Sequence, residues 1–357
     1  MAGLALRNLT LRAGASNAVC FSGGGVSGTV MDRLTVTDIG GRAVEGCAAA
    51  LSFAVVGTVL ANSTISRVGF NYMSGGAAAV IGTGAAFVHN EVFDVPLNGV
   101  TFQQAGGASR PEAPSAEIAF NHIHDFGGGG QVLSDFGGVY INANSDAKPA
   151  TNWLATDVHH NLIERGASYD YGCNGIYTDH GTSGASVHHN VVAALGGRGL
   201  SPHAGLNLSA ANNLFYNVSL QPFAGAAGAS CVVSGPQGNA PGFSLALRAN
   251  IFAQPAGGSA VFYSTRDAFW APPRARVASD GNVFWAGAAG AGLFPDGKGG
   301  ATGLAGWRAL SAQDAGSAEA DPLLAAPQAG DFRVLPASPA WARGWQEIDL
   351  SSVGPLP

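Results

Sequence analysis

Aspartates and histidines are concentrated between residues 121 and 215, where two related phrases occur. The phrases read SDFGGVY at residues 134–140 and DYGCNGIYTD at residues 170–179. Cleavage of a glycosidic bond requires two carboxyl groups, one that protonates the leaving oxygen and one that attacks the sugar or activates water. Asp135 and Asp179 are the candidates for this catalytic pair.

The spacing of the two aspartates suggests adjacent coils of a stacked fold. They are 179 − 135 = 44 residues apart, and stacked strands lie about 4.8 Å apart. When Tyr140 is aligned with Tyr177, Asp179 follows its tyrosine by two residues and Asp135 precedes its own by five. A straight strand would then hold the carboxylates over ~20 Å apart, so a turn must fold Asp135 back. The same alignment offers Asp170 as another partner for Asp135.

Three residues near the aspartates are candidate substrate contacts. They are Tyr140, Tyr177 and Asp170, and Tyr177 is one of several aromatic residues in this region that could stack on sugar rings. The structural alternative is that the tyrosines are core or turn aromatics and that the aspartates cap turns.

An asparagine-centred phrase recurs along the whole chain and indicates the scaffold. The asparagines are Asn8, Asn62, Asn90, Asn121, Asn161, Asn190, Asn213, Asn250 and Asn282, and Arg33 begins a phrase of the same cadence. Successive phrases are 23 to 40 residues apart, which is the period of stacked supersecondary units. We expect the asparagines to stack on one another in a hydrogen-bonded ladder.

Each repeat contains short β-branched runs punctuated by Gly, Asn and Asp, without helical spacing. Leucine-rich repeats and propellers would show signatures that are missing here. The sequence therefore predicts an all-β fold, a right-handed parallel β-helix of the pectate-lyase type. We expect the β-helix over residues 1–300 and a C-terminal cap or tail over residues 301–357, packed on the helix.

Composition narrows the choice of partner. Only 11% of the 357 residues are charged, the net charge is −6, and lysine occurs at Lys148 and Lys298 alone. No basic stripe can neutralise a run of phosphates, so nucleic acid is excluded. No apolar run is long enough to span a membrane. We expect a monomer that binds a carbohydrate and needs no cofactor.

Cysteine and histidine spacing gives two further expectations. Cys20 and Cys47 are about one coil apart and could form a disulfide or remain two buried thiols. Histidine pairs precede ladder asparagines at 159–160 and 188–189, and His122 and His124 share a strand face. A metal site is conceivable, but no carboxylate or cysteine completes a known spacing, so we favour outward-facing histidine ladders without a metal.

The N-terminus is already repeat-like and lacks the features of a signal peptide. An uncapped solenoid end would expose strand edges. We therefore expect a fragment of a longer chain that enters the secretory pathway and acts outside the cell.

Several segments resemble one enzyme family. They are residues 121–125, 134–140, 175–184, 203–207, 212–215, 321–324, 331–334 and 338–340, and they are similar to glycoside hydrolases of family 141, typed by an α-L-fucosidase and a xylanase. The resemblance implies a right-handed parallel β-helix, hydrolysis of a plant or algal glycan, and a catalytic pair at Asp135 and Asp179. His203 would line the site, and His180 stands where such sequences more often have a second acid.

The sequence thus favours a glycoside hydrolase in which Asp135 and Asp179 share the acid and the nucleophile or base roles. Two alternatives remain open on the same fold. A polysaccharide lyase or sugar epimerase would abstract a proton beside a uronate carboxylate and would need a cation to stabilise the charge. A non-catalytic glycan-binding solenoid would hold the aspartates apart.

Overall fold

The chain forms a parallel β-helix in a computed structural model. The structure describes residues 3–21, 26–46, 55–71, 78–81, 84–103, 116–128, 135–142, 156–168, 172–179, 181–203, 205–218, 231–233, 244–255, 261–263, 277–287, 293–295 and 301–357. Three parallel sheets run along the helix, and each complete coil contributes one strand to each.

Within the described residues, the first sheet contains Ala5–Arg7, Val30–Asp32, Val59–Ala61, Ala85–Val88, Ala116–Ala119, Thr156–His159, Ser186–His188, Leu208–Ala211, Leu245–Arg248 and Val277–Asp280. The second sheet contains Thr10–Gly14, Thr35–Ile39, Thr64–Val68, Glu91–Val95, His122–Phe126, Leu162–Glu164, Val191–Ala193, Leu214–Tyr216, Ile251–Ala253, Val283–Trp285 and Ala318–Glu319. The third sheet contains Val19–Phe21, Val44–Gly46, Ala78–Ile81, Val100–Gln103, Gly137–Asn142, Asn174–Asp179, Leu200–Pro202, Cys231–Val233 and Val261–Tyr263. Val26–Ser27 pairs in parallel with Val55–Val56.

The repeat read from the sequence is the register of the second sheet. The apolar residue of each phrase pairs with that of the next, in the column Leu11, Val36, Ile65, Val92, Ile123, Ile163, Val192, Phe215, Phe252 and Phe284. This column points into the core, and its last three rings stack at 5.2 Å. The predicted parallel β-helix is confirmed.

The asparagine ladder is present, but two predicted members are not in it. From Asn90 to Asn282, each ladder asparagine of the described chain is fully buried, and from Asn121 onwards its Oδ1 accepts the backbone N–H of the preceding ladder asparagine. Asn62 instead occupies the turn position before the ladder, with φ of 49°, and Ser63 donates its N–H to Asn90. Asn8 has the same left-handed backbone, with φ of 53°. Asparagine tolerates that conformation, so the same residue type serves two adjacent positions.

The corner between the second and third sheets accepts only glycine. A Cβ atom on Gly138 would lie 2.5 Å from Ile163 Cγ2, and one on Gly175 would lie 2.4 Å from Val192 Cγ1. The glycines that the two central phrases share are therefore packing residues, which let the core side chains of the second sheet fill this corner.

The C-terminal end of the core is covered by a helix. The hairpin of Phe294–Pro295 and Ala301–Thr302 precedes the helix Leu304–Ser311. Trp307 is fully buried and stacks on Phe294 at 5.2 Å, which extends the internal column of phenylalanine rings. Covering the last coil in this way shields its apolar interior from water.

The final residues run back along the outside of the helix. The hairpin Leu324–Ala326 and Asp331–Val334 is joined by the 3₁₀ turn Pro327–Ala329, and a second 3₁₀ turn spans Trp341–Arg343. Apolar residues of this tail pack on outward side chains of the later strands of the second sheet, forming a cluster of Phe332, Val334, Trp345 and Ile348 with Val191, Leu214, Ile251 and Val283. Near its end, Gly354 N–H donates to the carbonyl of Phe120 at 2.8 Å.

The structure assigns an oxidation state to two of the cysteines. Cys20 is disulfide-bonded, whereas Cys47, the partner that the spacing predicts, lies outside the described residues. Cys173 is a free, buried thiol in the core. Burial raises its pKa to about 12, so it is unreactive at neutral pH.

The paired histidines form the stacked ladders that their spacing predicts. His159 stacks on His188, and His160 stacks on His189, both at 5.0 Å with nearly parallel rings. His160 also stacks on Phe120, whose carbonyl holds the C-terminal tail. The tail is thus anchored beside a column of imidazole rings.

Because of this column of imidazole rings, we expect the free energy of unfolding to decrease in acid. Burial, followed by the neighbouring imidazoles, lowers the pKa of His160 to about 4. Between pH 6.5 and 4, His160 is therefore protonated in the unfolded chain but mostly neutral in the folded chain. The free energy of unfolding is thus highest above pH 6.5 and decreases as the pH falls towards 4. Because the ring is partly solvated, the loss is about 1 kcal/mol. Melting temperatures of wild type and His160→Asn across this range provide the measurement, and the wild type should show the steeper fall.

Candidate functional site

Outward-facing polar residues form two rows across consecutive strands of the third sheet. Asn142 pairs with Asp179 in the next coil, and Tyr140 pairs with Tyr177 in the same register. His203 directly follows the strand Leu200–Pro202, in which Pro202 pairs with Thr178. Because alternate residues of a strand share a face, the tyrosines and the polar ends of these strands gather on the outside of the β-helix.

Asp179 lies at the centre of this cluster and is buried, with 1% of its side chain exposed. Tyr140 Oη donates to its Oδ2 at 2.6 Å. His203 Nδ1 contacts its Oδ1 in a short hydrogen bond. Asn142 Nδ2 in turn donates to Tyr140 Oη at 2.9 Å. A chain of hydrogen bonds therefore leads from Asn142 through Tyr140 to Asp179 and His203.

Asp135 reaches the same cluster from the turn before its strand. Its backbone is left-handed, with φ of 68°, and Gly172 of the next coil packs directly against it. A Cβ atom on Gly172 would lie 2.3 Å from the amide nitrogen of Asp135. Tyr177 Oη donates to Asp135 Oδ1 at 3.1 Å. The turn thus supplies the reversal that the sequence alignment required, and the exposed carboxylate contacts a tyrosine of the neighbouring coil.

The two tyrosines link the aspartates. Their rings meet edge to face with centroids 5.2 Å apart. Burial and the hydrogen bond to Asp179 raise the pKa of Tyr140, and burial and the charges of Asp179 and Asp135 raise the pKa of Tyr177. Both phenols therefore stay protonated at neutral pH and act as hydrogen-bond donors to the carboxylates.

The structure gathers five of the seven residues named from the sequence. Tyr140, Tyr177, Asp135, Asp179 and His203 lie in one cluster, in which two hydrogen-bonded sets are joined by the contact between the tyrosine rings. The other two, Asp170 and His180, lie outside the described residues. The sequence reasoning missed one member, Asn142. Its signal was available, since it follows Tyr140 by the same two residues that separate Asp179 from Tyr177.

The arrangement can support proton transfer. An ionised Asp179 accepts from His203 Nδ1–H, which fixes the imidazole tautomer and leaves Nε2 able to take a proton. His203 retains 22% exposure of its side chain, and Asp135 is exposed. The cluster therefore presents an imidazole and a carboxylate to solvent, with a buried carboxylate and two phenols behind them.

Comparisons with known proteins identify no family. No family model matches the chain, and no curated protein matches it. Among solved structures, the chain is similar to XylC in complex with xylose, at 14% identity and a TM-score of 0.36, covering 84% of this chain and 39% of that one. It is also similar to the alginate lyase AlyF-OU02 in complex with G6, at 11% identity and a TM-score of 0.46, covering 98% of this chain and 85% of that one. The chain thus spans about two fifths of the XylC chain.

At these scores neither likeness bears on the activity of this protein. Within the described part of the chain, no helix has both the length and the apolar character that crossing a bilayer requires.

Proposed function

We propose that this protein cleaves glycosidic bonds by hydrolysis, with Asp135 and Asp179 as the catalytic carboxylates. The observation that carries the proposal is that two aspartates from consecutive coils are joined through one pair of contacting tyrosines. One carboxylate is buried and the other exposed. Such contrasting environments assign different protonation roles to two carboxyl groups. The proposal agrees with the resemblance to glycoside hydrolases of family 141.

In this mechanism a sugar chain lies across the outer face of the third sheet, where Tyr140 is partly exposed. Asp179 passes a proton to the glycosidic oxygen through the hydroxyl group of Tyr140, which is partly exposed, and His203 holds its carboxylate in place. Asp135 lies at the rim, where it reaches either the sugar carbon or a water molecule. A screen for new reducing ends on fucosylated and xylan-type glycans tests the activity.

A second candidate is β-elimination from a uronate-containing glycan, and one contact favours it. Both oxygens of Asp179 accept hydrogen bonds, and one of them comes from His203. A carboxylate held in this way is well suited to orient a histidine base. His203 would then abstract the proton, and Asp179 would act through it. Unsaturated products, which absorb ultraviolet light, distinguish elimination from hydrolysis.

Two substitutions separate these mechanisms. If the reaction is hydrolysis, we expect Asp135→Asn to reduce kcat at least about 10²-fold, since a catalytic carboxylate is lost. His203→Gln should then cost less, because it removes only a partner of Asp179. If the reaction is elimination, the order of the two effects reverses. Steady-state kinetics of both variants on one glycan provide the comparison, and equal, small losses would contradict both mechanisms.

A further inference from the structure

Four side chains that could bind a metal lie on the outer face of the second sheet, away from the carboxylate and tyrosine cluster of the third sheet. They are Glu91, His122, His124 and Glu164, from three adjacent strands. Glu91 pairs in register with His122, and His124 pairs with Glu164. Their positions mark the corners of a parallelogram, with the two histidines along its middle strand.

The polar ends of these side chains converge instead of lying side by side. The contacts run along the two slanted sides of this parallelogram: His122 Nε2 lies 3.0 Å from Glu164 Oε1, and His124 Nε2 lies 3.5 Å from Glu91 Oε1. The two imidazole rings are 4.1 Å apart. One ligand atom from each of Glu91, His122 and His124 lies within 4.8 Å of the other two. Glu91, His122 and His124 therefore meet above the central strand, and Glu164 contacts His122 from the next coil.

These distances suit coordination of one ion. Zn²⁺ binds nitrogen and oxygen at about 2.0–2.2 Å in a tetrahedron, which separates two ligand atoms by roughly 3.4 Å. The two imidazole–carboxylate contacts, at 3.0 and 3.5 Å, bracket this separation. Imidazole and carboxylate together are ligands that zinc and its divalent neighbours prefer.

A second layer of contacts fixes the ligands. His124 Nδ1 lies 2.7 Å from Asp125 Oδ2, which leaves its Nε2 directed towards Glu91 and His122. Arg165 holds that aspartate through two hydrogen bonds, at 3.0 and 3.1 Å, and also contacts Glu164. A carboxylate that orients a metal-bound histidine through its second nitrogen is a recurring support of metal centres.

The charge of the cluster complements a divalent cation. Glu91, Glu164 and Asp125 contribute three negative charges when ionised, and Arg165 contributes one positive charge. With neutral imidazoles the sum is −2. The side chains of His124 and Glu164 are only 12% and 15% exposed, so this charge is less screened than that of a solvated surface.

The histidine ladders of the first sheet are arranged differently. His159 contacts Glu117 at 3.2 Å, and His188 contacts Asp157 at 2.9 Å. Each of these two imidazoles has its own carboxylate, the two rings stack in parallel at 5.0 Å, and among the described residues neither belongs to a convergent group of three ligands. They are therefore ion-pair ladders, and they supply a matched control of the same residue types on the same scaffold.

We propose that Glu91, His122, His124 and Glu164 form a binding site for one divalent transition-metal ion of the zinc type. The cation lies between the imidazole nitrogens and the carboxylate oxygens that now contact one another. Asp125 and Arg165 position its ligands. The site lies on a different sheet from the proposed catalytic aspartates, so its existence does not depend on the proposed function.

Titration of tag-free, metal-stripped protein with Zn²⁺ and with Co²⁺ tests this site. We expect one ion per chain, a cobalt spectrum with the absorption bands of a site of low coordination number, and a melting temperature that rises with added zinc. His124→Gln should weaken zinc binding at least about 100-fold and Glu91→Gln at least about 10-fold. His188→Gln, in the ion-pair ladder, should leave zinc binding unchanged.

The same titration identifies failure. Zinc binding by the wild type that is no tighter than that of His124→Gln would overturn the proposal, and so would an equal loss in His188→Gln. The removed contacts are partly exposed, so we expect the variants to fold. Cooperative melting curves in the presence of a chelator check this. If His124→Gln unfolds, Glu164→Gln repeats the test with a smaller change.

Discussion

Replacement of Asp179 by asparagine is expected to reduce turnover at least about 10³-fold while the fold remains intact. The buried carboxylate is the centre of the cluster, because it accepts hydrogen bonds from Tyr140 and His203. Asparagine has the same shape and retains one oxygen acceptor, but it carries no charge and cannot exchange a proton. Losses of about 10²–10⁴ are typical when a positioned acid or base is removed. Initial rates on the most reactive glycan of the reducing-end screen provide the measurement.

Asp157→Asn is the matched control. Asp157 is also an outward-facing aspartate that contacts a histidine, His188, but it lies on the first sheet. Its substitution should change turnover less than about 2-fold. The far-ultraviolet circular dichroism of both variants should match that of the wild type. If Asp179→Asn keeps more than a tenth of the wild-type rate, Asp179 is not a catalytic group, and the site assignment fails.

Truncation of a ladder asparagine should have the largest effect on stability. Asn161 is fully buried, and its Oδ1 accepts from the N–H of Asn121 at 3.0 Å and from its side-chain amide at 2.8 Å. Its own amide donates to the carbonyl of Ile118 at 2.8 Å. Asn161→Ala leaves all these groups buried without their partner, and each costs about 1–3 kcal/mol. We expect a loss of about 3–5 kcal/mol in the free energy of unfolding, measured by denaturant titration.

Asn62→Gly tests whether the burial of the ladder causes this loss. Asn62 belongs to the same sequence phrase, but it is partly exposed and occupies the left-handed turn position. Glycine adopts that conformation without strain, so we expect a loss of about 1 kcal/mol from its hydrogen bonds. Similar losses in the two variants would mean that the buried ladder adds nothing beyond ordinary surface contacts.

Periodicity predicted the scaffold because a solenoid is nearly one-dimensional. Each coil contacts mainly its neighbours, so a recurring apolar residue must stack on its counterpart in the next coil. The column from Leu11 to Phe284 was therefore readable as a list of spacings, even where one coil spans 40 residues between Ile123 and Ile163. Insertions lengthen the loops and do not change the register of the strands.

The periodicity did not predict which asparagines occupy the buried ladder and which occupy the turn position before it. Asn62 and Asn90 begin similar phrases, yet they occupy adjacent positions of the turn. An asparagine is suited both to a left-handed backbone and to a buried ladder of amides. The residue type therefore could not distinguish the left-handed turn position from the ladder position. The backbone conformation of each coil decides which of the two positions an asparagine occupies.

The sequence by itself determined the fold and the alignment of Tyr140 with Tyr177, and it named Asp135 and Asp179 as the candidate pair. Only the tertiary structure decided that Asp135 meets the second tyrosine, since that contact depends on a left-handed turn packed against Gly172. The convergence of Glu91, His122 and His124 was hidden for a related reason. Strand register places residues in rows, but the direction of each side chain within a row depends on its neighbours in the coils on either side.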